Sequence, residues 1–144
     1  MSYFSIDELC RSDTAEKYGI ENVPSDEELH NLLRLIREVL DPARSILNKP
    51  ITISSGFRCK ALNARVGGAK NSQHLKGEAA DLQCYDPAYL FQIIKNNLIF
   101  DQVIFETKDI IRAGKIVGKK TWVHVSYSGT NRNQVLKMHN GKVI

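Results

Sequence analysis

The sequence lacks the signs of three common features of proteins of this length: a disulfide or cysteine-zinc framework, a membrane-spanning helix and a secretory signal peptide. Its 144 residues include three cysteines, Cys10, Cys59 and Cys84, an odd count with no CxxC spacing. This argues against a disulfide framework and against a cysteine-type zinc finger. No apolar run approaches the roughly 20 residues of a membrane-spanning helix. The first residues, MSYFSIDELCRSD, are acidic where a secretory signal peptide is basic and then apolar. The sequence therefore predicts a protein made in the cytoplasm with no membrane span.

Charge is distributed unevenly along the chain. Residues 1–30 contain eight acidic residues against Arg11 and Lys17, whereas residues 108–144 contain eight basic residues against Asp109. A basic C-terminal part favours a polyanionic partner, for which an anionic cell-wall polymer is one candidate. Nucleic acid is another, but aromatic residues are not interleaved with the cations as a stacking surface requires, so we expect no nucleic acid. A solvated basic face without a partner is the remaining alternative.

The composition predicts one globular domain. Hydrophobic residues make up 42% of the chain, which is enough to build a core. The length suits a single domain, and there is no internal repeat, low-complexity segment or linker. We therefore expect residues 1–144 to form one domain, and we expect that domain to be a monomer.

Helix signals occur at three places. Ser25 with Glu28 three residues later is a capping box, and an apolar stripe follows it as far as Leu47. Asp41-Pro42 interrupts this long helix and predicts a kink or a restart. A short helix is predicted over 59–66, and a helix of about ten residues is predicted after Asp86-Pro87.

Strand signals are spread through the chain and do not alternate regularly with helices. Segments rich in β-branched and aromatic residues predict five strands, at 51–54, 79–84, 102–107, 121–127 and 134–139. Asn140-Gly141 predicts a tight turn. Because a βαβ rhythm is lacking, the predicted class is α+β, with a central, mainly antiparallel sheet and flanking helices.

A set of metal-binding side chains is suggested by SQHLKGEAAD and WVHVSY. His74 lies in a loop rich in glycine and serine, Asp81 begins an apolar strand, and His124 lies in the middle of a strand. Each residue alone is more often structural. Together, two imidazoles and a carboxylate are what Zn²⁺ takes at a catalytic site that keeps one position open. The seven-residue gap between His74 and Asp81 excludes an HExxH helix, and Gly77 allows the chain to turn between the two ligands.

These residues belong to a longer pattern. The chain resembles the zinc D-Ala-D-Ala carboxypeptidase family in three segments, which are SGFRCKALNARVGGAKNSQHLKGEAADL, FDQVIFE and WVHVSY. This family is peptidase M15-like and includes phage cell-wall endopeptidases. A wider fold group contains VanX-type dipeptidases and the hedgehog signalling domain. The resemblance covers roughly residues 5–128 and is most specific at SxHxxGxAxD and WxHxS. It implies a hedgehog/DD-peptidase-like fold, with one zinc ion per chain bound by His74, Asp81 and His124.

The resemblance also implies substrate-binding residues. Arg58 matches an arginine that holds the substrate's carboxylate or a neighbouring carbonyl, a catalytic and substrate-binding role that suits a guanidinium fork. Ser72 matches a serine near the metal that contacts the substrate terminus, although a loop-capping hydroxyl is an equal alternative. We expect Asp101 and Gln102 to be hydrogen-bond partners of a metal-bound histidine.

The general base does not follow the family pattern. Many relatives supply it from ExxH or HxH, but these positions are Thr121 and Trp122 here. Glu106, at the end of an apolar strand, is the best substitute for accepting the proton of water. Glu78 is the alternative, and we expect it to be solvated on an exposed loop.

The predicted function is zinc-dependent hydrolysis of peptide bonds in bacterial cell-wall peptidoglycan, at a bond that involves D-alanine. Because the usual base positions are vacant, a non-catalytic zinc-containing cell-wall-binding domain is the alternative. A wall hydrolase without a signal peptide meets its substrate if it is released from the cell. A phage or prophage lysis protein is released in this way, and a phage tail component also fits.

Overall fold

A computed structural model of the chain describes residues 2–144. The helices are, in chain order, α1 (Ile6–Cys10), α2 (Asp13–Lys17), α3 (Asp26–Leu35), a π-helical stretch (Ile36–Leu40), α4 (Asp41–Leu47), α5 (Lys60–Arg65), a 3-10 turn (Gln73–Lys76) and α6 (Pro87–Asn97). Within the described residues, no helix has the length and apolar character needed to cross a membrane.

Six strands form one sheet. They are β1 (Thr52–Ser55), β2 (Ala79–Gln83), β3 (Gln102–Arg112), β4 (Lys115–Ser126), β5 (Gln134–His139) and β6 (Lys142–Val143). Their order across the sheet is β1-β2-β4-β3-β5-β6. The β3–β5 pair is parallel, and the other four pairs are antiparallel. The structure thus confirms an α+β fold with a mainly antiparallel sheet.

The long helical segment is continuous through Pro42. It begins at the predicted capping box, where the Ser25 hydroxyl accepts the N–H of Glu28 and the Glu28 carboxylate accepts the N–H of Ser25. Pro42 has no N–H to donate to the preceding turn. The wider π turns at Ile36–Leu40 precede it and α4 follows at once. The predicted interruption is therefore a widening of the helix rather than a break.

The two central strands extend much further than predicted. β3 and β4 stay paired from Val103↔Val125 to Arg112↔Lys115, and a turn at Ala113-Gly114 with positive φ at both residues joins them. The predicted strands end at residue 107 and begin again at residue 121, and the lysines and glycines between them are poor strand formers. The result is a long basic hairpin, residues 108–120, at one end of the sheet.

Helices pack on one face of the sheet, and the opposite face, against which the turn of His74 lies, is called the open face. The fully buried side chains on the sheet's covered face belong to one core cluster with side chains of α3, the π-helical stretch and α6. The cluster includes Leu82, Val103, Val123 and Val125 from the sheet, and Leu35, Leu40, Leu90 and Ile94 from the helical segments. Since alternate residues of a strand point to opposite faces, Asp81, His124 and Glu106 lie on the open face.

Candidate metal centre

The three predicted metal ligands meet on the open face of the sheet. His74 is buried in the 3-10 turn, Asp81 lies in β2, and His124 lies directly opposite Asp81 in β4. Oδ1 of Asp81 is 3.0 Å from Nδ1 of His124, and Oδ2 of Asp81 is 3.5 Å from Nε2 of His74. One ligand atom from each residue lies within 4.8 Å of the other two. This spacing allows all three residues to bind one ion.

A tight turn brings the first two ligands together. The Ser72 hydroxyl accepts the backbone N–H of His74 at 3.2 Å and so caps the 3-10 turn. Gly77 ends the turn with φ of 72°, a left-handed conformation that favours glycine. A Cβ at residue 77 would also lie 2.5 Å from the carbonyl oxygen of Glu28. As predicted, Gly77 turns the chain between His74 and Asp81.

The protonation of His74 follows from its contact with Gly56. Nδ1 of His74 lies 2.7 Å from the Gly56 carbonyl oxygen, which can only accept, so Nδ1 carries the proton and donates it. Burial lowers the pKa of His74 and keeps the ring neutral. Nε2 is then an unprotonated nitrogen that faces a carboxylate oxygen of Asp81. Two acceptors that face each other suit a cation bound between them.

Asp81 supplies the negative charge of the cluster. Burial raises the pKa of this carboxyl group, but the hydrogen bond with His124 and the adjacent His74 ring outweigh burial and hold the pKa well below its usual range. Asp81 is therefore ionised at neutral pH. Two imidazoles and one carboxylate are an established donor set for zinc, with a fourth position left for water or substrate. The residues present fit a zinc ion.

Gly56, which was not among the predicted site residues, orients His74 from outside the candidate ligand set. A Cβ at residue 56 would collide with the backbone of Leu9. We expect Gly56→Ala to displace the carbonyl that holds His74, lowering stability by about 1–3 kcal/mol and zinc affinity by roughly 10- to 100-fold. Denaturant unfolding and competition with a chromogenic chelator measure the two effects.

The control for this prediction is Gly129→Ala, because a Cβ at residue 129 meets nothing within 4 Å. The control should retain the parent's stability and zinc affinity. Unchanged zinc affinity in Gly56→Ala would contradict the role of the Gly56 carbonyl.

Arg58 borders the candidate metal centre. It lines a cleft of about 330 Å³ together with Ser54, Ser55 and Asp81. Burial lowers the pKa of Arg58 and the nearby Asp81 raises it, and the guanidinium remains a cation. Its Nε atom is buried and has no hydrogen-bond partner within residues 2–144. The backbone N–H of Arg58 donates to the carbonyl oxygen of His74 at 3.0 Å, which ties it to the ligand turn.

Ser72 lies on another side of the same centre. It lines a cleft of about 300 Å³ with Gln73, Gln102, His124 and other residues. Its oxygen accepts the His74 N–H, so the capping role considered for this residue is present. The hydroxyl proton is still free to be donated to a group in the cleft.

Glu106 approaches the centre from the neighbouring strand. It lies directly opposite Trp122, and Ile104 lies opposite His124, so Glu106 and His124 share the open face on adjacent strands. Burial first, and then the charge of Asp81, raise the pKa of Glu106, while His124 and a hydrogen bond from Trp122 lower it by less. A half-buried carboxyl group with a raised pKa is suited to accept and release a proton.

Glu78 is placed differently from the prediction. It was expected on an exposed loop in water, but its side chain is only 12% exposed and lies 3.6 Å from the Arg34 guanidinium of α3. Burial is the largest cause of the raised pKa of Glu78. The contact with α3 places Glu78 on the helix side of the sheet, away from the open face that carries His124.

Asp101 and Gln102 were expected to hydrogen-bond a ligating histidine, and the structure assigns them other partners. The buried carboxylate of Asp101 accepts bonds from Nε and Nη2 of Arg132, at 2.9 and 2.8 Å, and from the Gln73 amide at 3.0 Å. These bonds lower the pKa of Asp101. Gln102 donates its side-chain amide to Gln134. Asp101 therefore lies one contact further from the cluster, since its partner Gln73 directly precedes the candidate ligand His74.

Comparison with known proteins agrees with this geometry. The family model described as Peptidase M15 matches residues 2–126, a range that contains every candidate ligand together with Arg58 and Glu106. The chain is also similar to a protein of Streptomyces albus G described as a zinc D-Ala-D-Ala carboxypeptidase, with 57% identity over 35 residues. That match covers 24% of this chain and 14% of the relative, so the chain spans only a small part of the relative's length.

Proposed function

The chain belongs to the peptidase M15 family, and we propose that it is a zinc-dependent peptidase that hydrolyses amide bonds in bacterial cell-wall peptidoglycan, at a bond that involves D-alanine. The observation that carries this proposal is the convergence of His74, Asp81 and His124 on an open sheet face beside the half-buried Glu106. The description of the Streptomyces relative supports the choice of bond.

His74, Asp81 and His124 would hold one zinc ion per chain. When bound, zinc acts as a Lewis acid on a carbonyl group and lowers the pKa of a coordinated water. The protein prepares the ligands for this role. The Gly56 carbonyl fixes the ring of His74, and Asp81 is held ionised between the two imidazoles.

Glu106 is proposed as the general base and acid. Its carboxylate accepts a proton from the attacking water and then delivers it to the nitrogen of the leaving amine. Because Glu106 lies opposite Trp122, it can supply the carboxylate that the usual positions, Thr121 and Trp122, lack. Residue 122 is where the HxH pattern of relatives has its first histidine, and here the neighbouring strand supplies a carboxylate at the same level of the sheet.

Arg58 and Ser72 are proposed to hold the substrate. The guanidinium of Arg58 offers a fork of N–H donors to the peptide's carboxylate or a neighbouring carbonyl. The unpartnered Nε of Arg58 is one such donor. The Ser72 hydroxyl can donate to the substrate terminus from the side of the centre near His124.

Digestion of purified peptidoglycan by the zinc-loaded protein tests the proposal, with the products identified by mass spectrometry. New amino termini that arise at one type of bond would establish the peptidase and name that bond. Stoichiometric zinc without any product would favour the alternative, a non-catalytic zinc-containing wall-binding domain, which the vacant positions Thr121 and Trp122 allow.

The basic hairpin is a candidate contact for anionic wall polymer. Its residues Lys115, Lys119 and Lys120 are exposed. We expect their combined substitution by glutamine to weaken co-sedimentation with purified walls by at least roughly 3-fold, since each exposed charge pair contributes about 0.2–1 kcal/mol. The matched control replaces three exposed lysines elsewhere: Lys17, Lys60 and Lys95. Equal losses in both variants, or no loss, would remove the hairpin from wall binding.

A further inference from the structure

Two lysines of the basic hairpin face the same side as the candidate metal centre. Lys108 of β3 and Lys120 of β4 lie directly opposite each other. They are two residues beyond Glu106 and Trp122, so all four side chains project from the open face. Like charges directly opposite each other destabilise an antiparallel pair. The stability of the sheet therefore does not explain why both positions are lysine.

The repulsion between Lys108 and Lys120 is not relieved by an acidic partner. Among residues 2–144, the carboxylates in ion pairs have arginine or histidine partners, and neither lysine takes part in such a pair. Both lysines are exposed. Their two ammonium groups are therefore available to bind an anion from solution.

The lysine pair borders a cleft that reaches the metal ligands. This cleft of about 350 Å³ is lined by Ser54, Asp81, Gln83, Lys108, Lys120 and Trp122. Ser54 and Asp81 also line the cleft that contains Arg58. The two clefts adjoin at Asp81, so a ligand that crosses Asp81 can reach Arg58 through one cleft and the lysine pair through the other.

We propose that Lys108 and Lys120 form a subsite for a substrate carboxylate distinct from the one at Arg58. The inference rests on the proposed function and narrows its substrate class. The substrate's terminal carboxylate, or the carbonyl next to it, lies at Arg58. The lysine pair then binds an acidic side chain of the substrate, on the amino-terminal side of the scissile bond. The preferred substrates are therefore acidic peptides, with their negative charges on both sides of that bond.

Two peptides that differ by one charge test the subsite, acetyl-Glu-D-Ala-D-Ala and acetyl-Gln-D-Ala-D-Ala. Trp122 is the only tryptophan of the chain and lines the cleft, so its fluorescence reports binding there. We expect the zinc-loaded Glu106→Gln protein, which turns the peptides over at least roughly 100-fold more slowly than the parent, to bind the glutamate peptide roughly 3- to 20-fold more tightly than the glutamine peptide. The double substitution Lys108→Gln and Lys120→Gln should remove this preference, and arginine at both positions should retain it.

The matched control is Lys119→Gln, because Lys119 lies opposite Asp109 on the other face of the hairpin. The control should keep the preference for the glutamate peptide. Equal affinity for the two peptides, no binding of either, or an equal effect of Lys119→Gln would overturn the subsite.

Hydrolysis of both peptides by the protein with Glu106 intact separates this inference from the proposed function. Hydrolysis with no preference would leave the peptidase standing and reject the lysine subsite. Preferential binding of the glutamate peptide, with no hydrolysis of either peptide or of peptidoglycan, would support the subsite and reject the peptidase.

Discussion

Glu106→Gln lowers kcat by about 10²- to 10⁴-fold, the range that a positioned general base contributes, while one zinc ion stays bound per chain. Glutamine keeps the size and hydrogen-bonding shape of the side chain but cannot accept a proton from water. Glu106 does not belong to the ligand cluster, so zinc affinity should change little. Steady-state hydrolysis and zinc content of the same preparation measure both quantities.

Glu78→Gln is the matched control for this substitution. Glu78 is also a glutamate of raised pKa, but it contacts Arg34 of α3 on the helix side of the sheet. Its substitution should leave kcat near the parent value and lower stability modestly through loss of the contact with Arg34. If Glu78→Gln abolished turnover and Glu106→Gln did not, the base would have to be reassigned.

Asp81→Asn weakens zinc binding by more than roughly 100-fold. Loss of a group that only hydrogen-bonds a ligand costs up to about 100-fold, and loss of a ligand should cost more. Asp81 carries the only negative charge of the three ligands and lies between both imidazoles. Asparagine keeps the shape but replaces a charged oxygen with a neutral amide. Turnover should fall in parallel, because the proposed chemistry requires zinc at these three residues.

Thermal unfolding in zinc buffers measures this loss independently of turnover. At free zinc of 100 times the parent's Kd, binding stabilises the parent by about 2.7 kcal/mol. A variant that binds 100-fold more weakly gains only about 0.4 kcal/mol at the same concentration. Asp109→Asn is the control, since Asp109 pairs with His139 and lies outside the ligand cluster. An equal zinc-dependent gain in Asp81→Asn and the parent would exclude Asp81 as a ligand.

The approach of His74 to Asp81 could be predicted because its causes are local, whereas His124, 43 residues from Asp81, was assigned to the same site by the residue types together and by the family resemblance. A capped turn and Gly77 bring the first two residues together, and strand alternation places His124 on a known side of β4. The α+β class was predictable for a similar reason, because capping boxes and runs of β-branched residues act over a few positions.

Contacts between distant segments could not be predicted. The Gly56 carbonyl that orients His74 is 18 residues away, and the bond between Asp101 and Arg132 spans 31 residues. Strand pairing also overrode local preference in the hairpin of β3 and β4, whose lysines and glycine disfavour strands when taken alone. The position of Glu106 opposite Trp122, like that of Lys108 opposite Lys120, follows from this pairing.

Titration of the metal-free protein with zinc, followed by hydrolysis of a D-Ala-D-Ala peptide at each step, tests most directly whether the cluster of His74, Asp81 and His124 is the catalytic centre. The structure predicts that activity rises with zinc, stops rising at one ion per chain, and disappears when a chelator removes the ion. Activity that persists without zinc, or one bound zinc ion with no turnover of the peptide or of peptidoglycan, would contradict a catalytic zinc centre.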